Sequence, residues 1–136
     1  MKILIVDDSN SARALVASYL EPFGDCDQAA NGREAVELFA DSLKKHKPYD
    51  LIIMDVIMPE MDGIEAMRAI RGMEAERGIS ENARSRIVTL SSRIDPEPML
   101  TAQLECQADT YITKPFDKSV LMEAITNMGL ALSPPR

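Results

Sequence analysis

Four short apolar runs punctuate the chain, and each ends abruptly in polar or charged residues. Lys2-Ile-Leu-Ile-Val6 stops at Asp7-Asp8, and Leu51-Ile-Ile-Met54 stops at Asp55. Ile87-Val-Thr-Leu90 gives way to Ser91-Ser92-Arg93, and Thr110-Tyr-Ile-Thr113 to Lys114-Pro115-Phe116. Unbroken runs of this length, bounded by turn signals, read as strands buried on both faces of a parallel sheet. Asp25 to Ala29 is more polar, as an edge strand would be.

Helical periodicity fills the gaps. Ala12, Leu15, Val16, Tyr19 and Leu20 recur behind the capping residues Ser9-Asn10-Ser11, predicting a helix over 11–21 that Pro22 and Gly24 end. Asn31-Gly32 opens a second helix with Ala35, Val36, Phe39 and Leu43 on one stripe. It ends in Lys44-Lys45-His46-Lys47, cations suited to a helix C-terminus. Asp62 caps a third, carrying Ile64, Met67 and Ile70 and fading near Gly78. Asp95-Pro96 starts a fourth over 96–106, and Asp117 caps a fifth bearing Leu121, Ile125 and Met128. Residues 79–86 are a polar connector, expected at the amino edge of the sheet because it leads back into a strand. Five strands alternating with five helices predict an α/β domain, its parallel sheet covered on both faces by right-handed crossovers. Strand order is not readable from periodicity.

Composition narrows the class. With 136 residues, 46% hydrophobic and 27% charged, the chain is expected to form one globular domain over residues 1–130, followed by a frayed tail, 131–136. A net charge of −7 argues against a phosphate-tracking surface, so nucleic acid is not an expected partner. No apolar run has the ~20 residues of a membrane span. The first strand begins at residue 2, leaving no room for a signal peptide, so the expected location is cytoplasmic. Cys26 and Cys106 lie far apart and read as reduced packing residues. His46, the single histidine, has no partner at metal-ligand spacing.

The candidate chemistry lies where the strands end. Open α/β sheets place their sites at the carboxyl ends of strands, and Asp7, Asp8 and Asp55 stand at two such ends. Asp55 as a mere cap for the next helix is the plainer reading, but Asp62 is better placed for that task. If the two strands are neighbours, three like charges meet and call for a positive partner. Oxygen-only ligands and an incomplete shell suit Mg²⁺, with the backbone carbonyl of Ile57 available to complete it. Lys114, Ser91 and Tyr111 stand at or near the ends of the other two strong strands. The lysine offers a point charge for a phosphoryl oxygen and the serine a hydroxyl donor. Asp55 is then a candidate nucleophile toward phosphorus, forming an acyl phosphate.

These residues resemble a known family. Ile5-Val-Asp7-Asp8, Asp55-Val-Ile-Met-Pro59 with Met61-Asp-Gly63, Leu90-Ser91-Ser92 and Tyr111-Ile-Thr-Lys114-Pro115-Phe116 are similar, in order and spacing, to receiver domains of bacterial two-component response regulators. The stand-alone chemotaxis type is the nearest in kind. The resemblance implies a flavodoxin-like, doubly wound five-stranded sheet of order 2-1-3-4-5, with Asp7, Asp8 and Asp55 at its switch point. It implies that Asp55 accepts a phosphoryl group from a sensor histidine kinase or phosphotransfer protein. Mg²⁺ would be held by Asp7, Asp8, Asp55 and the Ile57 carbonyl. Ser91 and Tyr111 match the switch residues, Lys114 the lysine that pairs with the phosphoryl group, and Lys114–Pro115 a cis bond. The chain would catalyse only its own phosphorylation and slow dephosphorylation. Its output would pass to an effector protein through the face of the fourth helix, fifth strand and fifth helix. Two rivals share the topology: a Mg²⁺-dependent phosphohydrolase, and a flavodoxin-type cofactor binder. The acidic first loop and the 4% aromatic content speak against the second.

Overall fold

The computed structural model describes residues 1–56, 62–91 and 108–130. Its strands are β1 (Lys2–Val6), β2 (Asp25–Ala29), β3 (Leu51–Asp55), β4 (Arg86–Ser91) and β5 (Thr110–Thr113). The described helices are α1 (Asn10–Leu20), α2 (Gly32–Lys44), α3 (Gly63–Glu76) and α4 (Lys118–Asn127). The helix expected over 96–106 lies outside the described residues, so α4 is the last helix of the chain's predicted five. No helix among the described residues is long and apolar enough to cross a membrane.

All strands run parallel in the order β2-β1-β3-β4-β5. Period-two alternation divides the buried residues into two cores. Leu4, Val6, Ile52, Met54 and Ile87 face α2 and α3, where Phe39, Met67 and Ile70 pack. Ile3, Ile5, Leu51, Ile53, Val88, Leu90 and Ile112 face α1 and α4, against Val16, Leu20, Leu121 and Ile125. β2 is the edge strand its polarity predicts, with only Ala29 buried.

The helix starts follow side-chain capping. Ser9, Asn31, Asp62 and Asp117 each accept from the backbone N–H three residues on. Pro22 does not end α1 by itself: the helix closes at Leu20 and a 3₁₀ turn, Glu21–Phe23, carries the proline in its opening positions. Two strand ends also shift by one residue, because Asp55 and Ser91 are the last members of β3 and β4 rather than the first residues beyond them.

The 79–86 connector lies at the amino edge, as its direction of travel requires. Ser85 donates its N–H to Glu74 Oε2 at 2.8 Å and its hydroxyl to the Tyr49 carbonyl at 2.5 Å. Arg71 bridges Glu74 Oε1 and the Ser85 carbonyl, each at 2.8 Å. This buried network pins the connector at the far end of the sheet from the acidic strand exits.

Candidate functional site

Register brings the acids together. Val6 pairs with Met54, so the next residues, Asp7 and Asp55, stand level on adjacent strands. Alternation sends both toward the α1–α4 side, the side of Ile5 and Ile53. Both carboxylates are buried, Asp8 is exposed, and ligand oxygens of the three lie within 4.8 Å of one another. The same alternation accounts for Lys114. Ile112 faces the α1–α4 core, so Lys114, two residues on, leaves the end of β5 toward the same side. Its Nζ donates to Asp7 Oδ2 at 2.7 Å and lies 3.7 Å from Asp55 Oδ2. Burial alone would lower the lysine's pKa, but the hydrogen bond to Asp7 and the charges of Asp55 and Asp7 outweigh it and hold the pKa above its ordinary value.

The backbone around the acids is tightly tied. Asp7 donates its N–H to the Ala29 carbonyl at 3.2 Å, and its Oδ1 accepts from Ser9 N at 3.0 Å. Val56 N–H donates to the Leu90 carbonyl at 3.0 Å and Lys114 N–H to the Ser91 carbonyl at 2.7 Å. These bonds tie the end of β1 to that of β2, and the ends of β3 and β5 each to that of β4. The Lys114–Pro115 peptide is cis, as the resemblance implied.

The remaining predicted residues divide between this end and elsewhere. Ser91 is buried at the end of β4, one residue past Leu90, which pairs with Asp55. Tyr111 is not among the acids: it pairs with Thr89 and packs on the α2–α3 side. Its hydroxyl is buried with no hydrogen-bond partner among the described residues. The Ile57 carbonyl lies outside the described residues, as do Ser92 and Arg93. Cys26 is a free, half-buried thiol in β2, and burial with neighbouring acids raises its pKa to about 11. Cys106 also lies outside the described residues.

Two residues that sequence reasoning did not single out shape the site. Gly63 enters the sequence reading only within Met61-Asp-Gly63, a stretch of the receiver-like pattern with no role attached to the glycine itself. A Cβ there would stand 2.2 Å from the Asp55 carbonyl oxygen and 2.8 Å from Val56 Cα, so α3 can begin this close to β3 only with glycine. Arg13 reaches back from α1 to the Asp7 carbonyl at 2.5 Å. The sole hint of it in the sequence was a cation in the first turn of a helix.

The donor set is chemically definite. Three carboxylates on one open side, with no nitrogen or sulfur ligand, fit a hard divalent cation that keeps some of its water. A cleft of about 410 Å³ runs from Asp7 and Lys114 along Ala12, Leu15, Val16, Leu90, Pro115 and Phe116, giving the acidic end an approach from solvent.

Comparison with known proteins agrees with this geometry. The family model described as response regulator receiver domain matches residues 3–126. The chemotaxis protein CheY of Halobacterium salinarum is 38% identical over 128 residues, covering 93% of this chain and 95% of that protein. CheY of Bacillus subtilis is 35% identical over 126 residues, covering 91% and 93%. Among solved structures, the Saccharomyces cerevisiae Ssk1 receiver domain, co-crystallised with the histidine phosphotransfer protein Ypd1, superposes with a TM-score of 0.79 at 30% identity. It covers 95% of this chain, which covers 88% of that one. The flavodoxin-type and phosphohydrolase readings give way to a signalling domain. With the sheet order, the converging acids and these matches in agreement, the chain belongs to the response regulator receiver domain family.

Proposed function

We propose that this receiver domain is a phosphorylation switch in which Asp55 accepts a phosphoryl group from a phosphohistidine. One observation carries the reading: a buried carboxylate at the end of the central strand, with an ammonium 3.7 Å away and two more acids converging on it. In the transfer, an Asp55 oxygen forms the new P–O bond as the donor's P–N bond breaks, its electron pair leaving with the ring nitrogen, which takes a proton. Lys114 pairs with a phosphoryl oxygen, and the Ser91 hydroxyl donates to another. Mg²⁺, held by Asp7, Asp8, Asp55 and the Ile57 carbonyl, would offset the negative charge gathered there.

The event is stoichiometric self-modification, followed by slow loss of phosphate. The donor is a sensor histidine kinase or a phosphotransfer protein, a partner class that the co-crystallised yeast relative supports. Likeness to the CheY chemotaxis proteins supports an output delivered to a separate effector protein, and the expected location is cytoplasmic. The signal passes through Tyr111, whose hydroxyl gains by finding a partner in the switched state, and the face of the predicted helix over 96–106, β5 and α4 changes shape.

The test is intact-mass measurement after incubation with acetyl phosphate and Mg²⁺. The wild type should gain one phosphoryl group and Asp55→Asn none, with chelation of Mg²⁺ abolishing the gain. Equal uptake by Asp55→Asn refutes the acceptor assignment, and sustained turnover of phosphate esters would return the phosphohydrolase reading.

A further inference from the structure

We propose that Arg13 is a positioning residue for the metal-binding end of the site, holding the Asp7–Asp8 peptide so that Asp8 turns toward Asp55. The inference rests on the magnesium reading above. Successive residues of an extended chain point to opposite sides. Asp7 is buried and Asp8 exposed, yet their ligand oxygens and one of Asp55 fit within 4.8 Å. The chain must therefore leave strand geometry at this peptide and be held in the new orientation.

Three of the bonds to Asp7 hold other parts of it. Its N–H is tied to Ala29, its Oδ1 to Ser9 N and its Oδ2 to Lys114. The carbonyl, which turns with the peptide that carries Asp8, is held by Arg13 Nη1 at 2.5 Å. The guanidinium is itself anchored at two further points. Nη2 donates to Asn10 Oδ1, and Nε donates to Gln28 Oε1 of β2 at 3.2 Å. One planar fork thus joins α1, the acidic turn and the edge strand, a task for which a lysine has no equivalent geometry. Helix stability does not explain the residue. Arg13 closes the first turn of α1, where the helix dipole disfavours a cation.

A positioning role and a plain charge effect predict opposite signs. Removing a cation beside an acidic trio would, by charge alone, tighten Mg²⁺; removing the group that aims Asp8 weakens it. Calorimetric titration with MgCl₂ on the full chain separates them. Arg13→Gln and Arg13→Lys should both raise the Mg²⁺ Kd by about tenfold or more, the usual loss when a partner of a metal ligand is removed. Tighter binding by Arg13→Gln with unchanged binding by Arg13→Lys would overturn the proposal, as would an unchanged Kd in both. Should Arg13→Gln fail to fold by circular dichroism, Gln28→Leu frees the guanidinium from β2 and should weaken Mg²⁺ by a smaller factor; no change there overturns the proposal equally. A wild type that takes up no Mg²⁺ at millimolar concentration overturns the magnesium reading itself, and this inference with it.

Discussion

Replacing Lys114 with methionine should tighten Mg²⁺ binding while weakening the metal-free fold, and both sizes follow from two distances. The ammonium lies 2.7 Å from Asp7 Oδ2 and 3.7 Å from Asp55 Oδ2, where it supplies positive charge that a divalent ion would otherwise supply. Two unit charges about 4 Å apart interact by about 1 kcal/mol in water and about 4 kcal/mol at an effective dielectric of about 20. The Lys114 side chain keeps 26% of its surface exposed, and Asp8 faces solvent, so the lower part of that range applies. A gain of about 1.4 kcal/mol is tenfold in Kd, which is the tightening expected. Without metal, the substitution strips the ammonium from two buried carboxylates. Breaking a fully buried pair costs about 3–5 kcal/mol and a surface pair under about 1, so about 2 kcal/mol fits this half-open site. Such a loss lowers Tm by several degrees. Scanning calorimetry across a Mg²⁺ series should show the metal recovering more of Tm in the variant than in the wild type. The lysine's folded pKa stands above its unfolded value, so its stabilisation is complete below about pH 10. That stabilisation disappears as pH rises through the raised pKa, and Lys114→Met should flatten this alkaline limb. Equal or weaker Mg²⁺ binding by the variant would refute the reasoning, as would an unchanged metal-free Tm.

Two further substitutions probe the two ends of the sheet. Gly63→Ala places a methyl group 2.2 Å from the Asp55 carbonyl oxygen, so it should cost about 1–3 kcal/mol in urea unfolding and slow phosphorylation by acetyl phosphate. Wild-type behaviour in both assays would show that the β3–α3 junction yields freely. At the amino edge, Glu74→Ala leaves the half-buried Arg71 guanidinium and the buried Ser85 N–H without their carboxylate, although Asp109 Oδ2 remains 3.8 Å from Arg71. A loss of about 3 kcal/mol is expected, with Mg²⁺ affinity unchanged because the network is remote from the acids. A shifted Mg²⁺ Kd would contradict that separation.

Local patterning along the chain was enough to place the elements and the chemistry. Apolar runs too continuous for a solvated face marked the strands, and Ser9, Asn31, Asp62 and Asp117 marked the helix starts within a residue, because both signals depend on near neighbours. The acids stood out because each ended a buried run. Strand order was different: it came by resemblance to a family, since periodicity says nothing about which strand lies beside which. It took the folded sheet to show that Asp7, Asp55 and Lys114 leave on one side while Tyr111 faces the other. The fold also decided that α3 starts against the Asp55 carbonyl and that Arg13 spans from α1 to β2. Those relations join residues as far as 107 positions apart, and they arise from register between strands and the packing of crossovers, which no local window along the chain contains.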